Sequence, residues 1–300
     1  MSKRTTQQAM EEMCGVPMRV GTVSQLAPAT PAAGAPPVEA ARTYVPAQAV
    51  AHRDETSGRQ GGKRAWFGVA VTRGVTVCVV RRSRGGQVAR ALVGETCAGI
   101  VVPDRSSADN GYPVRWRQGC WAPCLRDGEA LRDRGGCAEE SGDAFLAQAH
   151  QMVTWWHRVR EGTGKRSTLR SSMPPLRREV ERLVQAGSRC GMPKTAATCR
   201  DILTRREARS TFVQVEGVEP TNNAAERSLR PGVLWRKGSF GTQSAEGSRV
   251  GESLLTVGTT LKQQQRHVLE SLTEACEAAL RGDAAASLLP ASDQKAQSAA

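Results

Sequence analysis

The spacing of apolar residues changes character near residues 46, 125 and 211, and each change predicts a different kind of element. Before residue 46 the pattern predicts a short helix over 6–13, a turn at Gly15-Val16-Pro17 and a second short element from Gly21. These two fall short of the three-helix support of a helix-turn-helix, so a packing segment is expected. Prolines at 28, 31, 36 and 37 forbid one regular helix over 27–38 and predict a connector into a helix or extended segment by 40–45. Beyond residue 46, β-branched and aromatic runs predict strands over 47–54, 63–72 and 75–82, the last two forming a hairpin about Arg73-Gly74. A short helix over 86–93 follows, then an apolar strand over 96–102 that ends at Pro103-Asp104, then a short strand over 116–121.

Residues 125–210 change to helical spacing, with Phe145, Ala149, Met152 and Trp156 one turn apart. Pro220 stops this region, and Thr221 or Asn222 offers an oxygen to cap a new helix. On that helix Ala225 and Leu229 share an apolar face, while Asn223, Glu226 and Arg230 fall together on a polar one. By itself this is also the pattern of a solvated helix face with a Glu–Arg pair. A flexible, hydroxyl-rich loop is expected over 238–247, then a long helical pattern over 252–280 with a break near Gly258. The divisions that result are a lead-in over 1–45, sheet-rich core over 46–124, helical insertion over 125–210, returning core over 211–282 and a disordered tail over 283–300.

Charge narrows the partners. The 300-residue chain carries 42 Lys+Arg against 29 Asp+Glu, a formal charge of +13, which suits a polyanion such as nucleic acid. Eight Lys/Arg against three Glu lie between Arg158 and Arg182, and phosphate contact is expected there over a merely solvated surface. The nine cysteines are odd in number and irregularly spaced, which argues for a reducing compartment. Cys120, Cys124 and Cys137 form the one cluster worth testing as a zinc site, and without a second paired ligand set zinc is not expected. No apolar run reaches membrane-spanning length and the N-terminus has no signal-peptide core, so a soluble cytoplasmic protein without membrane partners is expected.

Three carboxylates could carry chemistry: Asp54 after the first strand, Asp104 after a later one, and Glu226 on the capped helix. Two hard divalent cations roughly 3.5–4 Å apart need shared and flanking carboxylate oxygens, and an Asp/Asp/Glu set with water and phosphate can supply them. Spacing alone is a weak signal, because any chain of this length holds many such triples.

The run VEPTNNAAERSLRPGVLWRKGSFGTQSAEGSR resembles the C-terminal signature of bacterial transposases of the insertion sequence 66 family. DETSGRQGGKRAWFGVAVT and IVVPDR resemble that family's first and second Asp segments, QGCWAPCLRD the stretch that follows, and GVPMRVGTVSQL its lead-in. The resemblance implies an RNase H-like catalytic core: a mixed five-stranded sheet flanked by helices, with a helical insertion between the second Asp and the Glu. It implies Asp54, Asp104 and Glu226 as catalytic and metal ligands for two Mg²⁺ or Mn²⁺ ions. Asn222, Asn223, Arg227, Arg230, Arg236 and Lys237 are then expected to contact DNA. The implied activity is metal-dependent cleavage at transposon ends and strand transfer by the freed 3′-hydroxyl, in a homo-oligomer on DNA and nucleoid-associated when bound.

The chain departs from the family pattern where Ser57-Gly58 replaces a Trp, where Ser106 and Asp109 follow the second Asp-Arg, and where Pro123 and Gly128 replace His and Phe. It also begins inside the family's central region, so a copy without the usual N-terminal region is expected. A catalytically impaired remnant that binds DNA or modulates a full-length transposase is the alternative. A metal-dependent nuclease of the same core, cleaving without strand transfer, is a third reading.

Overall fold

The computed structural model describes residues 2–84, 86–94, 98–104 and 112–291, with the backbone alone at 87, 88, 90 and 91. The chain divides into one unit built from 1–101 and 223–300 and a second from 102–222. Expectations for Ser106, Asp109 and the tail beyond residue 291 lie outside the described residues.

The first unit opens with helices α1 (Lys3–Cys14), α2 (Val20–Leu26), α3 (Ala29–Ala33) and α4 (Ala35–Tyr44). The Ser2 hydroxyl caps α1 by accepting from the Thr5 amide at 3.1 Å. The Ala/Pro stretch, expected as a connector, instead makes two short helices. Proline in the first turn of α4 takes a place where no amide donor is needed and its fixed φ suits the helix.

Strands β1 (Val50–Gln60), β2 (Lys63–Val71) and β3 (Thr76–Arg81) follow, then helix α5 (Gly86–Val93) and strand β4 (Ile100–Pro103). They form a mixed sheet in the order β3-β2-β1-β4, four strands among the described residues where five are expected. The β2–β3 hairpin matches its sequence signal. The first strand does not end at Asp54: it runs to Gln60 and pairs with β2 from His52↔Val71 to Gln60↔Lys63. Polar residues 54–60 hide this half of the strand from a hydrophobicity pattern, and its register is set by the tight turn at Gly61-Gly62, both at positive φ.

The second unit is helical: α6 (Ala122–Arg132), α7 (Cys137–Arg160), α8 (Arg166–Ser188), α9 (Pro193–Thr204) and the single turn α10 (Thr211–Gln214). Its core holds Phe145, Met152, Leu169 and Leu176, and Trp156 meets Phe212 edge-to-face at 5.6 Å. The expected strand over 116–121 is absent. Val114–Trp116 is a 3-10 turn, and Gln118 and Trp121 bind residues 209–212 through side chains rather than a ladder. Gln118 Oε1 accepts from the Phe212 amide and Trp121 Nε1 donates to the Arg209 carbonyl, both at 2.8 Å.

The chain returns to the first unit with α11 (Asn223–Ser239), α12 (Ala245–Gln263) and α13 (Val268–Arg281). The break expected at Gly258 lies at Gln264–His267 instead, and the expected loop shrinks to 240–244. Helix α12 packs along β3, where three of its side chains accept from outward-pointing strand amides. Val80 N donates to Glu252 at 2.9 Å, Cys78 N to Thr256 at 3.0 Å and Thr76 N to Thr260 at 3.1 Å. Four helix residues rise about 6 Å and two strand residues about 6.6–6.8 Å, so positions i, i+4 and i+8 keep step with alternate amides. Residues 283–290, expected as disordered tail, are held: Leu288 and Leu289 are buried, and the Leu288 carbonyl accepts from Gln264 at 2.7 Å.

Candidate functional site

Successive residues of β1 point to opposite sheet faces, and directly paired residues share a face. Asp54 pairs with Val69 and Thr56 with Phe67, so Asp54 projects on the face where Phe67 and Val69 form a core with Ala225 and Leu229 of α11. Asp54 is half-buried, and its Oδ1 accepts from the Glu55 amide at 2.7 Å. Arg53 and Glu55 take the opposite face. Arg53 Nη2 donates to Glu55 at 2.8 Å and the exposed Arg84 also pairs with it, an arrangement around a buried Arg53 that sequence reading missed. The acidic pair Asp54-Glu55 is thereby split, with one carboxylate on the α11 side and the other committed to two arginines.

Helix α11 can lie close because Gly232 meets the Phe67 ring. A Cβ there would come within 2.0 Å of it, so the position admits hydrogen alone. Ala225 and Leu229 bury the inner face, while Asn223, Glu226, Arg227, Arg230 and Lys237 are exposed. Glu226 lies in the first turn, where an acidic side chain suits the helix dipole. Arg236 is only half-exposed: it donates to Thr56 Oγ1 at 2.8 Å and to the Ser57 carbonyl, fixing the end of α11 on β1. Gly58 leaves room for that arginine, with its absent Cβ at 3.5 Å from Arg236 Cδ.

Asp104 is half-buried and directly follows β4, the neighbour of β1 in the sheet. Among the described residues no group of three His, Cys, Asp or Glu side chains converges as a metal site. Asn222, expected to touch DNA, is completely buried and its amide donates to Cys120 Sγ at 3.3 Å. Cys120 and Cys124 are buried, while Cys137 is exposed with its thiol toward Met192 Sδ at 3.9 Å, away from them.

The basic stretch of the helical unit is largely occupied internally. Arg166 donates to the Phe212 carbonyl at 2.8 Å and Arg170 to that of Gln214 at 2.7 Å, neutralising the C-terminal end of α10. Arg177 pairs with Glu181 at 3.0 Å and Arg182 with Glu179 at 2.6 Å. Gly128, which stands where the family pattern has Phe, is tightly packed: a Cβ would meet Phe145 at 2.8 Å and Leu146 at 2.9 Å. The space of the absent side chain is filled by the close approach of α6 and α7.

A mixed sheet with Asp54 on the face covered by α11, a helix that exposes Glu226, Arg227, Arg230 and Lys237, defines an α/β protein. A family model described as "Transposase IS66 family" matches residues 3–250, and the chain belongs to that family. It is also similar to "Uncharacterized protein y4qI" of Sinorhizobium fredii (strain NBRC 101917 / NGR234), at 30% identity over 166 residues. That match covers 52% of this chain and 29% of the relative, so the chain spans less than a third of the relative's length. Among the described residues no helix is long and apolar enough to cross a membrane.

Proposed function

We propose that the chain is a DDE-type transposase core of RNase H-like fold that cuts DNA at transposon ends and joins the freed 3′-hydroxyl to target DNA. The observation that carries this reading is the seating of α11 on the sheet face that bears Asp54, which brings the Glu226 helix onto the acidic strand. Asp54, Glu226 and Asp104, the residue after β4, make up the acidic set. Their oxygen-only donors suit Mg²⁺ or Mn²⁺ and carry none of the thiolate or imidazole that selects softer metals. Asp54, Asp104 and Glu226 would hold such ions, whose chemistry when bound would be to acidify an attacking hydroxyl and to stabilise a leaving oxygen.

The protein's own residues hold and orient. Asp54 is fixed by its bond to the Glu55 amide and Arg236 anchors α11, so the two carboxylates ride on rigid elements. Arg227, Arg230 and Lys237, exposed on α11, bind phosphates, and Asn223 opens the same helix. Asn222, being buried, supports the chain just before the helix instead of touching DNA. Pairing two transposon ends calls for more than one copy, so the active species is a homo-oligomer on DNA.

The test is Mg²⁺- or Mn²⁺-dependent cleavage and strand transfer on end-bearing duplexes, with Asp54→Asn and Glu226→Gln beside wild type. Loss of several kcal/mol of transition-state stabilisation predicts at least a ~100-fold drop in each variant. Equal rates in wild type and variants would refute the assignment. A second reading, a DNA-binding remnant, draws on the exposed position of Glu226, and it predicts salt-dependent DNA binding with no cleavage under Mn²⁺.

A further inference from the structure

The loop that joins α11 to α12 presents an aromatic side chain under unusual constraint. Phe240 is 86% exposed and holds φ at +57°, a left-handed conformation that β-carbon sterics disfavour. The next residue, Gly241, has φ +95°, and a Cβ on it would fall 2.4 Å from the Arg59 carbonyl oxygen, so the loop is pressed against the end of β1. The contact is pinned on both sides, with Gly61 N donating to the Thr242 carbonyl at 2.7 Å and Thr242 N to that of Arg59 at 3.0 Å. Beneath it Gln60 and Thr242 both bond the Ser248 hydroxyl at 2.7 Å. The backbone around Phe240 is therefore over-determined, and what it holds is an apolar ring turned outward.

Beside the ring lies an open depression of about 610 Å³ whose walls include Ser57, Gly58, Arg59, Arg236 and Gln243. That volume is within the range of small-ligand pockets, ~300–1,000 Å³. The walls are cationic and hydroxyl-bearing, and among the described residues no carboxylate lines them. Arg59 is exposed on the hairpin, and Lys237 is exposed in the last turn of α11, three residues before Phe240. Strained residues held by their surroundings cluster at functional sites. An apolar wedge beside cations suits a nucleic acid, whose bases accept a Phe ring and whose phosphates accept the cations, and the DNA-processing reading makes DNA the occupant argued for.

We infer that Phe240 is a wedge that stacks on an unstacked DNA base, with Arg59 and Lys237 gripping the adjoining phosphates. This rests on the DNA-processing reading above and adds to it a base-unstacking contact at the far end of the α11 helix. The wedge needs no metal, so its binding signal can be read without turnover.

The experiment uses the full chain and a short duplex with 2-aminopurine at its terminal and penultimate positions, without divalent metal. Wild type is expected to raise the fluorescence as the labelled base leaves its stack. Phe240→Ala is expected to lose that rise and to bind roughly 5- to 100-fold more weakly, whereas Phe240→Trp keeps both. The slope of log affinity against log salt stays unchanged in Phe240→Ala and falls by about 0.9 in Arg59→Ala, which removes one phosphate contact. An unchanged fluorescence rise in Phe240→Ala overturns the inference, as does a change of oligomeric state in that variant with the rise intact. Failure of wild type to bind the duplex at all defeats the DNA-processing reading and this inference together. Binding without a Phe240-dependent rise defeats this inference alone.

Discussion

Replacing Glu252 should unzip α12 from the sheet. Its Oε1 accepts from the Val80 amide at 2.9 Å and from Arg81 Nη1 at 2.7 Å, and its Oε2 from Arg42 Nη2 at 2.9 Å. The carboxylate is 2% exposed, but the Arg42 and Arg81 side chains are 34% and 44% exposed. In Glu252→Leu both guanidinium groups can turn to water, so their share of the loss is modest. The Val80 amide cannot, because α12 covers that edge of the sheet. An unsatisfied buried donor costs about 1–3 kcal/mol and a lost charge-assisted bond about 1.5–3, which puts Glu252→Leu near ~3–5 kcal/mol. Glu252→Gln keeps an oxygen for Val80 but sets an amide donor against Arg42, for a loss of about 1–2 kcal/mol. Thr256→Val removes one neutral acceptor from the Cys78 amide and should also cost about 1–2 kcal/mol. Amide hydrogen exchange at Val80 reads the effect where it arises, and each 1.4 kcal/mol is about tenfold in exchange rate. Glu252→Leu with wild-type protection at Val80 would show that the Glu252 bond is not what keeps that amide from water.

Two glycines separate room from necessity. Gly58→Ala should be neutral within about 0.5 kcal/mol, because its Cβ would make an ordinary contact at 3.5 Å, whereas Gly232→Ala should cost at least ~2 kcal/mol by driving a methyl into Phe67. Urea midpoints at constant slope check both, and equal midpoints would mean α11 does not sit on Phe67. Burial pushes the Cys78 thiol up to about 12, with hydrogen bonds from Thr259 and Thr256 opposing it, so the folded state keeps a proton that the unfolded state releases near pH 9. The stability tied to that proton is complete below pH 9 and is lost as pH rises from 9 towards 12, at up to about 1.4 kcal/mol per pH unit. Cys78→Ala should flatten that fall in a pH series of urea melts, and an unchanged slope would contradict it.

What the sequence made legible follows from how locally each signal is written. The β2–β3 hairpin, α5 and the two faces of α11 depend on neighbours within a few residues, and each is read from period and turn chemistry. Elements set by distant partners were not legible. The second half of β1 is polar and becomes a strand through pairing with β2, while Gln118 and Trp121 lose their strand to partners some 90 residues away. The 252/256/260 row of α12 reads as an ordinary polar stripe until the β3 edge supplies a reason for it. The arginines of α8 show the same limit: charge density suggested phosphate, and Arg166 and Arg170 turned out to face the carbonyl end of α10.

The pairing of β1 also decides how its charges are divided between stability and chemistry. A strand shift of one residue would exchange the roles of Asp54 and Glu55, because neighbours face opposite sides. Turn geometry at Gly61-Gly62 and the tie from Thr242 fix that register from one end, the same end at which Arg236 fastens α11. The hairpin tip, the loop bearing Phe240 and the helix bearing Glu226 thus form one mechanical assembly. The Thr242 ties beside the ring are made to the same hairpin end that sets the register of β1, and with it the face on which Asp54 lies. This gives a physical reason for a strained aromatic where glycine would fit more easily, and it couples the proposed wedge to the proposed acidic site through the Thr242 backbone and the Arg236 side chain.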